Sequence, residues 1–416
     1  MKKTISLSLL TISSLFANAE LDEIKEQLRQ QQIVMQKLQA KVDALTKESE
    51  GKDESLFETK MLQAKSSSSS FSQKEYLPDI ALILNMSAIG RDVANNEYAN
   101  YAIPGFINSG DAEIPFNPDR GFNLNYAELA MSSAVDPYFD AFAIFHFEND
   151  SVEIDEAYVK TRALLYGLQI KAGKFKSSFG RINSKHQHAW NFSTQAIIYE
   201  ALFGTEGIGE AGVQLQYVAP TDTYIMAGIE MLQGVNDQSF GDTQENNLYV
   251  SYLKSSVDIS DDLSVLGGVS FAHGKNSSAN DTDIYGVDLT FNKQLSSYSS
   301  IMFQNEYLYR NKDIGVKKDK QAGFYSELIY NYNNNYAMGA RYEAITKNDT
   351  DLSAYKSSDN LDRYTAMLQY KPFPFSRLRL QYTKDKTKVI NAQRRDINEI
   401  MLSLNIAIGA HGAHDF

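Results

Sequence analysis

From Asp79 onward apolar and polar residues alternate in segments of about ten residues that stop at turn residues, the period-two signature of strands with one dry and one wet face. Leu263, Val265, Val269 and Phe271 share one face, and Ser264, Gly268 and Ser270 the other. Tyr285, Val287, Leu289 and Phe291 alternate with Gly286, Asp288 and Thr290. Ile400, Leu402, Leu404, Ile406 and Ile408 alternate with Met401, Ser403, Asn405 and Ala407. Sixteen such segments run from 80–90 to 396–408, a count open by two strands either way. Short turns (Asp136-Pro137, Pro220-Thr221-Asp222, Asn333-Asn334) alternate largely with longer loops, among them 91–121 and 176–210. A soluble sandwich would have to bury one face of every strand against a second sheet. A series of strands near ten residues fits an all-β, transmembrane antiparallel β-barrel of about 16 strands better, and in lipid such a sheet must close on itself.

The pattern before residue 78 is different. Lys2 and Lys3, the apolar run Ile5 to Phe16 and Ala17-Asn18-Ala19 read as a signal peptide over 1–19. Leu21, Leu28, Met35 and Val42 at heptad a, with Ile24, Gln31, Leu38 and Leu45 at d, read as an N-terminal α-helical coiled coil over 20–50, Gln31 being the one polar core position. A single amphipathic helix packed elsewhere is the alternative. Residues 51–77, with Ser66 to Ser70 consecutive, read as a flexible linker, and 78–416 as the outer-membrane barrel.

Composition narrows the choice. The chain has 40 basic and 52 acidic residues; without Lys2 and Lys3 this becomes 38 against 52, a net charge near -14. That balance opposes nucleic-acid binding, which needs a basic face. The absence of cysteine removes thiolate catalysis and Cys-ligated zinc. No later run of roughly eighteen apolar residues exists to cross a bilayer as a helix, while 25 Tyr and 22 Phe suit the aromatic girdles of a barrel. No G-x-S-x-G elbow or recognisable Ser-His-acid arrangement suggests an enzyme. The residues before the first strand leave no room for the plug of a transporter barrel of about 22 strands.

Alternation assigns faces. Charge on a lipid face costs about 2–4 kcal/mol at the midplane for Arg or Lys. So Lys160, Arg162, Lys171, Arg341, Arg363, Lys371, Arg377 and Arg379, each opposite apolar neighbours, are expected to line a water-filled lumen. Rings of Arg and Lys select anions. Balance by Glu128, Glu230, Glu327 and Glu343 leaves cation preference, or no bias, open. The loop after the fifth strand holds Lys174, Lys176, Arg181, Lys185 and Trp190, either an inward constriction or an outer lid. In the same loop His186 and His188, two apart on an extended segment, could share a metal ion such as zinc with a third ligand from among His146, Glu206 and Glu210; His411 and His414 form a second pair. No other cofactor is implied.

Gly173-Lys174-Phe175-Lys176-Ser177-Ser178-Phe179-Gly180-Arg181 resembles the G-K-F-K-x-x-F-G stretch of the phosphate-selective porins O and P, and Phe416 resembles the terminal assembly signal of outer-membrane proteins. Lys185-His186-Gln187-His188-Ala189-Trp190-Asn191-Phe192, Glu206-Gly207 and Gly212-Val213-Gln214-Leu215 resemble more closely a proteobacterial porin-like family some of whose members are linked to zinc. The likeness spans about residues 80 to 416 and implies a porin with its third loop as constriction, although net acidity departs from the anion porins. The expected protein is therefore a porin-like channel in outer-membrane lipid for passive diffusion of small hydrophilic solutes, a homotrimer, anion-biased, with the coiled coil joining protomers or touching peptidoglycan. The alternative is a solute- or metal-specific (zinc) binding and uptake barrel.

Overall fold

The computed structural model describes residues 78–109, 119–148, 151–162, 164–241, 248–349 and 361–409. The signal peptide, coiled coil, linker, His411, His414 and Phe416 lie outside the described residues.

The strands follow the alternation closely. In chain order they are β1 (Asp79–Arg91), β2 (Gly121–Ala134), β3 (Phe139–Phe147), β4 (Val152–Thr161), β5 (Leu168–Lys176), β6 (Gly209–Val218), β7 (Tyr224–Leu232) and β8 (Leu248–Ser260). Then come β9 (Leu263–Lys275), β10 (Asp281–Ser296), β11 (Ser299–Asp313), β12 (Lys318–Asn331), β13 (Tyr336–Asn348), β14 (Leu361–Phe373) and β15 (Ser376–Asp385). A small hairpin, β16 (Val389–Ile390) and β17 (Gln393–Arg394), precedes β18 (Ile397–Gly409). Each barrel strand pairs antiparallel with its neighbours, and β18 pairs with β1, so β1–β15 and β18 close a sixteen-stranded barrel. The hairpin β16–β17 stands apart as a two-stranded sheet, an element the alternation did not reveal.

Both barrel termini, Asp79 and Gly409, lie at the end carrying short turns such as 135–138, 261–262 and 374–375. At that end the Asp136 carboxylate accepts hydrogen bonds from the Tyr138 and Phe139 N–H groups, closing the β2–β3 turn. The opposite end carries the long connections: L1 (92–120), L3 (177–208), L4 (233–247) and L8 (386–396).

The outward face is apolar, with Val269, Val287, Leu328, Met338, Leu368 and Ile400 all about half exposed. Aromatic rings gather near each rim. Tyr249, Tyr285, Tyr342 and Tyr364 stand toward the loop end, and Tyr298, Tyr336, Tyr370 and Phe373 toward the turn end. This is the belt-and-girdle surface that lipid selects. The inward face is polar and covered: Asn85, Glu128, Gln214, Glu230, Asp288, Glu306, Glu343, Arg363 and Ser403 are all buried. Among the described residues the long loops cover them, because a barrel of sixteen strands is too wide to fill with wall side chains alone.

Candidate functional site

L3 enters the lumen because its sequence offers apolar groups at its two ends and polar ones between. Phe179, Tyr199, Leu202 and Phe203 pack with Phe175, Leu248, Leu308 and Tyr325 of the inner wall and Phe240 of L4 into one apolar cluster inside the barrel. Burying a large apolar side chain is worth about 1.5–3 kcal/mol, against about 1–2 kcal/mol for fixing the backbone of one residue. The short helix α1 (Asn95–Tyr98) lies in L1 and α2 (Ile197–Phe203) in L3. Every residue of α2 is buried. Its Ala196 cap gives no side-chain hydrogen bond, and the wall supplies one instead: the Ile197 N–H donates to Glu343 Oε1 at 2.7 Å.

Hydrogen bonds then tie L3 to strands around the barrel. The Ser178 N–H donates to Glu230 at 2.9 Å, the Gly180 N–H to Ser270 at 2.9 Å, and the Arg181 Nε to Asp288 at 2.8 Å. Tyr199 donates to Glu306 at 2.7 Å, Asn191 to Glu327 at 2.9 Å, and the Ser193 N–H to Gln381 at 2.8 Å. Arg341 donates to the Thr194 carbonyl at 2.9 Å, and Arg363 and Arg377 donate to the carbonyls of Gln195 and His188.

L1 and L8 brace the assembly. Tyr101, Ile103 and Ile107 of L1 pack on Ile197 and on Ile390 of the β16–β17 hairpin, and Ala102 bridges Val389. Glu200 on α2 is their polar meeting point. It accepts from Tyr101 Oη at 2.7 Å and Lys388 Nζ at 2.6 Å, with the Arg363 guanidinium at 3.3 Å. Burial alone would raise the Glu200 carboxyl, but the charges of Lys388 and Arg363 overcome it and hold the pKa at about 2. Burial would lower the Lys388 ammonium, and Glu200 holds it well above its usual value instead.

Between L3 and the wall of β1, β2, β15 and β18 a polar cavity remains. Its charged lining is Arg91, Arg363, Arg377, Arg379 and Lys388 against Glu200 and Glu399. Arg363 is compensated by Glu343 at 2.7 Å and Arg91 by Glu399 at 2.8 Å. Arg379 differs: its guanidinium is held by the Trp190 carbonyl at 3.1 Å and Gln369 Oε1 at 2.9 Å, both neutral.

On the other side of L3 a histidine cluster meets the wall. Glu128 on β2 and His146 on β3 are direct cross-strand partners, with Nε2 of His146 3.1 Å from Glu128 Oε2. Nδ1 of His186 lies 3.4 Å and Nδ1 of His188 3.3 Å from the same oxygen. His186 also places Nδ1 3.0 Å from Asp155 and Nε2 3.2 Å from Glu156. Asp155 is brought inward by a bulge in β4, where Ile144 pairs Glu156 but Phe145 pairs Ile154.

The expected site residues therefore divide. Arg341, Arg363, Arg377 and Arg379 are inward and buried under L3. Lys171 is inward, its Nζ 4.9 Å from the Tyr158 ring and 5.0 Å from Phe175; Lys160 lies 4.6 Å over Phe142. Lys371, whose N–H donates to the Asn335 carbonyl at 2.6 Å, sits at the turn-end mouth. Arg162 is a correction: it lies one residue past β4, 44% exposed and paired with Asp140 at 3.3 Å, so it belongs to the rim and not the lumen. Lys174 and Lys176 are a second correction, being strand rather than loop residues. Lys174 has the outward parity of Leu168 and Ile170 and donates to the Ile154 carbonyl at 2.6 Å, while Lys176 pairs with the bulged Asp155 at 3.0 Å. Arg181, Lys185 and Trp190 are in L3, and the Trp190 indole donates to the Lys185 carbonyl at 2.9 Å. His186 caps a 3-10 turn (Gln187–Ala189) and His188 lies within it, rather than both standing on one extended run, yet their rings stack at 5.7 Å. Sequence reasoning gave Glu156 the inward parity of Lys160 and missed Asp155, Arg91, Glu200, Lys388 and Arg310. Arg310 shares the inward parity of Glu306 and Leu308 and was readable; Glu200 and Lys388 lie in loops, where no period marks a face.

Comparison with known proteins agrees with this architecture. An uncharacterized protein of Aquifex aeolicus (strain VF5) is 40% identical over 386 residues, covering 84% of this chain and 82% of its own. The outer membrane channel DcaP of Acinetobacter baumannii has the same fold (TM-score 0.52, 12% identity, 81% of this chain and 99% of that one). So does the anion-selective porin of Comamonas acidovorans (TM-score 0.52, 11% identity, 80% and 99%). Residues 106–408 match the family model described as "Putative beta-barrel porin-2, OmpL-like". The chain is a member of this beta-barrel porin-2 family, an outer-membrane, porin-like β-barrel.

Proposed function

We propose that the protein is a passive channel for small hydrophilic solutes, biased toward anions and narrowed by L3. The observation that carries the bias is the cavity beside L3, lined by five cationic side chains and two acidic ones, with Arg379 held only by neutral oxygens. A buried guanidinium with no carboxylate among its hydrogen-bond partners leaves positive potential in the path, which attracts anions and repels cations. The chain would assemble as a homotrimer, packing through an outward face such as the groove over β12–β15, where Ala340 and Ala366 are cross-strand partners flanked by Leu328, Met338 and Leu368. The 20–50 coiled coil would join protomers or reach peptidoglycan on the periplasmic side.

Swelling of proteoliposomes in isosmotic neutral, anionic and cationic solutes of matched size tests this directly. Fastest entry of the anion is expected. Equal or faster cation entry would remove the bias, and swelling in none would remove passive passage. A metal-specific barrel is the second reading, favoured by the imidazoles gathered at Glu128; it would saturate at low ligand concentration where a general pore does not.

A further inference from the structure

We propose that Glu128, His146 and His186 form a binding site for a divalent transition-metal ion that staples L3 to the β2–β3 wall. The site is independent of whether solutes pass the lumen.

The donor atoms have the right spacing. Glu128 Oε2, Nε2 of His146 and Nδ1 of His186 lie within 4.8 Å of one another, and two of these contacts are 3.1 and 3.4 Å. A tetrahedral ion with bonds of about 2.0–2.1 Å has ligand-to-ligand edges of about 3.3–3.4 Å. His188 Nδ1, 3.3 Å from the same carboxylate oxygen, stands at a fourth edge.

Hydrogen bonding alone satisfies these groups poorly. One carboxylate oxygen faces three imidazole nitrogens, and both nitrogens of His186 face carboxylates. Without a metal, His186 must be an imidazolium to serve Asp155 and Glu156 together. With a metal on Nδ1, neutral His186 still donates Nε2–H to Glu156 at 3.2 Å, the carboxylate–histidine–metal arrangement that orients ligands.

Charge balance points the same way. Glu128, Asp155 and Glu156 contribute three negative charges, and Lys176, 3.0 Å from Asp155, one positive. Glu206 beside Lys176 and Arg377 on the His188 carbonyl offset each other. Lys171 also stands on the Glu156 side of the cluster, and a divalent ion would add its positive charge where the three carboxylates converge on His186 and His146. His146, His186 and Glu128 are 7%, 1% and 1% exposed, and buried charge persists where it is paired or bound to metal. Imidazole and carboxylate donors suit zinc, cobalt, nickel or copper rather than calcium or magnesium.

The full chain, purified in detergent without an oligohistidine tag and stripped by chelator, is titrated with Zn²⁺ and Co²⁺. About one ion per chain is expected, with Co²⁺ giving the intense visible bands of four-coordination. His146→Gln should lose both while keeping heat-modifiable gel migration; His273→Gln, at the exposed pair with Asp283, should lose neither. Glu156→Gln, which leaves the ligand set intact, should weaken binding about 10–100-fold. No zinc retention by the folded wild type, or retention unchanged in both His146→Gln and Glu156→Gln, would overturn the site.

Discussion

Two glycines carry much of what the motif Gly173 to Arg181 does. At Gly173 (φ +133°) an added Cβ would lie 2.2 Å from the Ala157 carbonyl oxygen, and at Gly180 (φ +60°) 2.0 Å from Tyr199 Oη and 2.1 Å from Glu306 Oε1. The first permits β4–β5 pairing, the second the entry of L3 into the lumen. Gly180→Ala is expected to leave the barrel folded but undock L3, raising single-channel conductance and current noise; unchanged traces would show that L3 tolerates the contact. Glu200 gives a pH test. Its folded pKa, about 2, lies below the ordinary 4.5, so its contribution is fully present above about pH 4.5 and disappears as pH falls through about 2. The stability difference between wild type and Glu200→Gln, on the order of 3 kcal/mol by urea unfolding, should be level from pH 7 to 5 and vanish near pH 2. A difference that grows on acidification would contradict the Lys388 and Arg363 pairing.

At the scale of elements, strand parity sorts cations into inward and outward positions. Arg379 on β15 points into the cavity; Lys174 on β5 has outward parity. Arg379→Gln is expected to lower chloride-over-potassium permeability by about twofold or more, while Lys174→Gln leaves it unchanged. The reverse result would mean that the faces are misassigned. This sorting was largely legible, because period-two alternation survives wherever a strand separates lipid from water. It failed at Asp155, where one extra residue in β4 turns a side chain inward against parity, and at Arg162, which the strand end leaves on the rim. It could not reach Glu200, Tyr101 or Lys388, which three loops bring together across nearly three hundred residues of sequence.

For the whole molecule, closure of β18 on β1 leaves no unpaired edge, and the outward belt is apolar between aromatic rims. The barrel should therefore resist detergent until heated, migrating faster on a gel unboiled than boiled; identical migration would count against closure. The loops give the molecule a second layer of order, an apolar and ionic core within the lumen. The proposed passage is the space L3 leaves open, and Arg379 and its neighbours are expected to give it an anion bias. Single channels in a planar bilayer under a KCl gradient test it most directly. Ligand-free channels whose reversal potential shifts toward that of chloride are the predicted result; a shift toward potassium, or no channels at all, would contradict it.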